Sequence, residues 1–110
     1  MIDWAQVKKL CHEVGAEDFD EVIALFFEEV ADVIDKLDNL TDRSGLAEDM
    51  HFLKGSALTL GFTQMSHLCH SAEKTAATGD AQCVDIGAVI QCYVDSKQAF
   101  MAEYLMKLAA

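Results

Sequence analysis

Proline is absent from the 110-residue chain, and no stretch alternates apolar and polar residues for long. Strands therefore have little support, and every long segment follows the helical period instead. Asp3 with Gln6 makes a capping-box start for a short first helix, in which Trp4, Val7, Cys11 and Val14 form an apolar stripe before Gly15 stops it. A second helix, over about 17–39, places Phe19, Val22, Ile23, Phe26, Phe27, Val30, Val33, Ile34 and Leu37 on one broad face.

Asn39 to Gly45 form a polar connection, with Asp42 and Ser44 as candidate N-caps for a third helix that runs to about Leu60. Gly61 and Phe62 turn the chain. Thr63 is a candidate cap for a fourth helix with the stripe Met65, Leu68, Cys69, Ala72 and Ala76, and Gly79 ends it. Asp80 is read as the cap of the last helix, over about 81–108, whose stripe is Val84, Gly87, Ile90, Val94, Met101, Leu105 and Leu108. Short connections between neighbours predict an all-α, up-and-down four-helix bundle with the first helix capping one end, residues 1–110 forming one domain. Stripes that can bury one another point to a monomer.

Composition narrows the function classes. Eight Lys and Arg against nineteen Asp and Glu give a net charge of −11, which opposes binding to nucleic-acid backbones or anionic lipid. No apolar run reaches the roughly 18–20 residues of a membrane span, and the first residues lack the basic flank and apolar core of a signal peptide. A cytoplasmic protein is expected. Cys11, Cys69, Cys83 and Cys92 fall in or beside apolar stripes without CxxC spacing, which predicts reduced core thiols rather than disulfides or zinc. The chain is too short for a second, ATP-binding lobe.

The third helix carries the chemistry. Leu46, Met50, Leu53, Ala57 and Leu60 form its apolar stripe, and at about 100° per residue His51 projects roughly 140° from the stripe's centre, away from the core. Lys54, one turn on, can place an ammonium beside a phosphate on the imidazole, and Gly55 at i+4 leaves room for an approaching partner. Glycine in mid-helix costs about 1 kcal/mol relative to alanine, so a reason beyond helix formation is expected for it. If the third and fourth helices run antiparallel about Phe62, His51 lies level with Glu73 and Lys54 with His70. A carboxylate on Nδ1 of the ring would leave Nε2 as the nucleophile. Glu73 could instead form no more than a surface pair with Lys74. Ala47, Glu48, Gly55, Leu58 and Phe62 surround His51 as a mixed docking patch, with Leu58 and Phe62 as its apolar anchors.

The run from His51 through Lys54, Gly55, Ser56 and Ala57 to Gly61 resembles the signature of histidine-containing phosphotransfer domains: His, two variable residues, Lys, Gly, a small pair, then Gly near the helix end. The resemblance spans nearly the whole chain. It implies a phosphocarrier rather than an enzyme, accepting a phosphoryl group on His51 from a receiver aspartate and passing it to another receiver. A hybrid sensor kinase and response-regulator receivers are the implied partners. No cofactor or metal is expected on this chain, with Mg²⁺ on the receiver. The resemblance gives Glu73 the role of orienting the ring, and His70 a supporting role, since the histidine domain of chemotaxis kinases has a histidine there.

Other readings use the same residues. A helical adaptor that is never phosphorylated would need the surface but not His51. An excised histidine domain of a chemotaxis-type kinase would need a catalytic domain elsewhere; Met1 and the complete last helix favour a stand-alone protein. A dimerising kinase histidine domain is disfavoured, because Phe52 follows the histidine where an acidic residue is usual, and the expected proline is missing. His67, Cys69 and His70 make a weak metal pattern, and Glu48 with His51 is the sole Glu-x-x-His, too few for a di-iron bundle. Glu28, Glu29, Asp32 and Asp35 are read as the solvated face of the second helix, able also to steer a basic partner.

Overall fold

The computed structural model describes residues 2–109, so Met1 lies outside the described residues. Five α-helices make up the fold: α1 (Trp4–Val14), α2 (Phe19–Asp38), α3 (Leu46–Leu60), α4 (Thr63–Thr75) and α5 (Ile86–Ala109). Among the described residues the only β-type pairing is an isolated antiparallel bridge between Ile2 and Phe62. α2 to α5 form the bundle, and α1 lies across the end where α3 turns into α4.

The α3 stripe is buried as its spacing predicts, and so is the centre of the α2 stripe, while Val22, Phe26 and Val33 at its edges are only half-buried. Phe19, Ile23, Phe27, Val30, Ile34 and Leu37 face inward from α2, and Leu46, Met50, Leu53, Ala57 and Leu60 from α3. Phe27, Phe62 and Phe100 meet in the core with ring centroids 5.7–6.3 Å apart, two of the three contacts edge-on. Trp4 from α1 stacks on Phe100 at 5.5 Å and fastens the capping helix.

Several local expectations are corrected. Asp3 caps α1, its Oδ1 accepting from the Gln6 backbone N–H at 3.2 Å, but the Gln6 side chain donates to the Thr59 carbonyl instead of closing a capping box. Gly45, not Asp42 or Ser44, precedes α3; the Asp42 carboxylate closes a local turn with the Ser44 N–H. Thr63 is the first residue of α4, and Phe62 occupies the cap. Gly79 does break the chain, at φ 95°, but a 3₁₀ turn (Ala81–Cys83) follows, and Asp85, not Asp80, accepts from the Ala88 N–H at the start of α5.

The α5 stripe differs most. Its buried face is Val89, Tyr93, Ser96 and Phe100, whereas Val94, Met101 and Leu105 of the expected stripe are 47%, 50% and 70% exposed. Apolar residues surround this helix, so periodicity offers two seams and packing selects one. The expectation of a monomer assumed that the other seam was buried. Cys83 is exposed rather than a core thiol. All four cysteines are free, and burial pushes the Cys69 thiol up to about 12, which makes it a poor nucleophile.

Arg43 locks the opposite end of the bundle. Its Nη1 donates to the carbonyls of Ala81 at 2.8 Å and Val84 at 2.9 Å, tying the α2–α3 connection to the segment that leads into α5. A charge-assisted hydrogen bond contributes about 1.5–3 kcal/mol, and both carbonyls lose their donor together. Arg43→Met is therefore expected to lower stability by about 2–3 kcal/mol in urea unfolding; a change below about 0.5 kcal/mol would show that water replaces the clamp.

Candidate functional site

The site forms on the outer surface of α3 where α4 runs back beside it. The short turn at Gly61 and Phe62 sets the register of the two helices, and that register brings three side chains into one chain of hydrogen bonds. His51 Nδ1 lies 2.9 Å from Glu73 Oε2, and Lys54 Nζ lies 2.6 Å from Glu73 Oε1. The His51 side chain is 69% exposed, while Lys54 and Glu73 are 22% and 23% exposed. The histidine projects to solvent and its two partners are tucked against the helices.

A carboxylate can only accept, so the proton sits on Nδ1 and donates to Glu73; Nε2 keeps its lone pair and faces solvent. The hydrogen bond from Lys54 chiefly holds the Glu73 carboxyl below the usual glutamate range; desolvation opposes it, and the His51 hydrogen bond and the charge of Lys54 add to the lowering. The lowered value means that the folded state favours the ionised carboxylate. Its contribution is complete above the ordinary Glu value and is lost as pH falls through the depressed folded one. The Glu73 carboxylate is accordingly expected to stay ionised, and able to accept from the His51 Nδ1–H, when the pH drops into the ordinary Glu range. Lys54→Met should move the Glu73 titration back up and loosen the tautomer, both read from ¹³C and ¹⁵N chemical shifts. An unchanged Glu73 titration in Lys54→Met would refute the coupling.

The other expected site residues separate. Glu48, Gly55 and Leu58 are exposed around His51, and Ala47 is half-buried. His70 is exposed and makes no hydrogen bond or ion pair among the described residues; the partner of Lys54 is Glu73, one turn further along α4. Phe62 is corrected outright. It is fully buried and cannot anchor a docking partner. The Phe62 N–H donates to the Ala57 carbonyl at 2.8 Å and the Gly61 N–H to Leu58, a Schellman end in which the residue after the left-handed glycine swings into the core.

Sequence reasoning missed the wall on the other side of His51. A shallow groove of about 400 Å³ runs between α2 and α3, bordered by Phe26, Glu29, Phe52 and Thr59, with Gly55 and His51 on its α3 side. Val22 and Leu25 continue the apolar surface along α2. Phe52 is 38% and Leu25 57% exposed. The helical wheel held the signal for Phe52, which lies 100° beyond His51, but Val22 and Phe26 were assigned to the core because the α2 stripe is wide. An ideal Cβ on Gly55 meets nothing within 4 Å, so packing does not require glycine there.

In a comparison with protein families, the model described as the Hpt domain matches residues 21–102, from the first turn of α2 into the last third of α5. Comparisons with curated proteins and with solved structures give no match.

Proposed function

The chain belongs to the Hpt domain family, whose members are histidine phosphocarriers rather than kinases, and on that premise we propose that His51 is the phosphoacceptor of a phosphorelay, charged by a receiver aspartate and discharged to another receiver. One observation carries the assignment to His51: its Nδ1 is held by a carboxylate while its Nε2 is free and solvent-facing. Nε2 attacks the phosphorus of the aspartyl phosphate, the bond from phosphorus to the aspartate oxygen breaks, and the electron pair leaves on the receiver's carboxylate. The imidazole acquires positive charge as the N–P bond forms, and Glu73 stabilises it through the Nδ1–H. Return of the phosphoryl group to an aspartate reverses the same bonds.

Lys54 serves twice in this reading. At rest it keeps Glu73 ionised; after transfer its flexible stem lets the ammonium move toward the phosphoryl oxygens. The receiver supplies the aspartate, Mg²⁺ and most of the transition-state stabilisation, and a hybrid sensor kinase is the source of phosphate. Leu58, two turns along α3 from His51, together with Phe52, Phe26 and Leu25 on the α2 side, gives the receiver an apolar seat, and Glu48 and Ala47 lie at its edge. Among the described residues no helix is long and apolar enough to cross a membrane.

The test is transfer of label from a phosphorylated receiver domain to the purified chain, with the product located by peptide mapping. A phosphohistidine is labile in acid and stable in base; acid-stable label, or label on another histidine, would reject the assignment. Gly55→Gln adds a direct check on docking. Filling an open mid-helix position with a better helix former should raise stability by about 0.5–1 kcal/mol. The same change should slow transfer from a receiver by about tenfold, because the new side chain stands in the seat. Unchanged transfer rates would move the docking surface elsewhere.

A further inference from the structure

We infer that Glu29 selects the receiver by charge, requiring a Lys or Arg on the part of the partner that enters the groove beside His51. The inference rests on the phosphocarrier reading and deepens it. Glu29 borders both stretches of the apolar surface on the α2 side of the histidine, and His51 aside, no other side chain lining either stretch bears a charge. Its side chain is exposed and makes no hydrogen bond or ion pair among the described residues.

Two lysines of the flanking helices are engaged elsewhere. Lys36, two turns along the same flank of α2, pairs with Asp49 at 3.0 Å, and Lys54 is held by Glu73. The sequence of α2 has seven Asp or Glu against that single Lys, so the local field adds to the Glu29 charge. Phosphorylation of His51 would bring roughly two more negative charges to the same groove. A partner with a neutral or acidic face would bury or crowd Glu29 without compensation. A partner that places an ammonium or guanidinium there gains a pairing in surroundings made less polar by Phe26 and Phe52.

The apolar seat and the charge therefore divide the work. Phe26, Phe52 and Leu25 give affinity to any receiver of the right shape, and Glu29 distinguishes among them. Glu28 provides the control, being exposed on the same helix but outside both stretches of the groove.

Binding is measured by fluorescence anisotropy with two labelled, unphosphorylated receiver domains. One has an aspartate-bearing face rich in Lys and Arg; the other has an acidic face. The intact chain should bind the basic-faced receiver more tightly, with a preference that shrinks between low and high salt. Glu29→Gln should weaken that binding by about 3–10-fold, Glu29→Lys should weaken it further and narrow the gap to the acidic-faced receiver, and Glu28→Gln should change it by less than about twofold. Equal effects of Glu29→Gln and Glu28→Gln, no preference in the intact chain, or no binding of either receiver would overturn the inference. Labelling by phosphoramidate, a small donor that needs no docking face, separates this from the reading beneath it. If His51 fails to label, the phosphocarrier reading falls. If His51 labels equally in the intact chain and Glu29→Gln while docking ignores Glu29, the charge-selection inference alone falls.

Discussion

His51→Gln is expected to abolish acid-labile phosphorylation, a loss of at least about three orders of magnitude, because the variant has no nucleophilic nitrogen at the site. The fold should not register the change. The imidazole is largely exposed, Glu73 keeps its contact with Lys54, and glutamine can still donate an amide N–H toward Glu73. A surface substitution of this kind shifts stability by about 0.5 kcal/mol or less, or roughly 3 °C in Tm for a chain of this size. Label transfer and a thermal melt on the same preparation separate the two effects. Undiminished labelling would place the acceptor on His12, His67 or His70. Loss of label together with a large fall in Tm would mean that His51 supports the fold as well.

Gly61→Ala is expected to have the larger effect on stability. Gly61 ends α3 with φ 76°, in the left-handed region, where a residue with a Cβ costs about 1–2 kcal/mol more than glycine. Space adds to the strain. A Cβ there would stand 2.6 Å from the Asp3 carbonyl oxygen and 3.1 Å from Val7 Cγ2, and the first of these is backbone that cannot rotate aside. Relief requires α1 to move, which stretches the 2.7 Å bond from the Asp3 N–H to the Gly61 carbonyl and disturbs the stacking of Trp4 on Phe100. A total of about 2–4 kcal/mol follows, a large fraction of the 5–15 kcal/mol typical of a domain, with Tm lower by roughly 10–20 °C. Far-UV circular dichroism against temperature measures it. A melt within about 2 °C of the parent would show that α1 repositions without cost.

The two glycines of the third helix thus differ. Both were visible in the sequence as departures from helix preference, but the backbone dihedral and the neighbouring contacts that separate them were not. Gly61 sits where the dihedral and the neighbour both forbid a side chain; Gly55 sits where nothing touches the missing Cβ. Phe62 was misread for the same reason. Its position after the turn suggested an exposed tip, whereas the Schellman geometry rotates it into the cluster with Phe27 and Phe100. On α5 the periodic pattern offered two seams, and only contact with Phe27 and Trp4 from other helices identifies the Phe100 side as the buried one.

The sequence by itself determined the helical class, the α3 core face and the centre of the α2 one, the outward direction of His51 and its level with Glu73. Each of these follows from the 3.6-residue period and one short turn, which are local properties of the chain. Tertiary structure decided what the period leaves free. It chose Glu73 over His70 as the partner of Lys54 and turned Phe62 inward. It also set Phe26, Phe52 and Glu29 beside the histidine as a groove between α2 and α3. These depend on the rotation of one helix against another, which is fixed by side chains far apart in the sequence filling a common core.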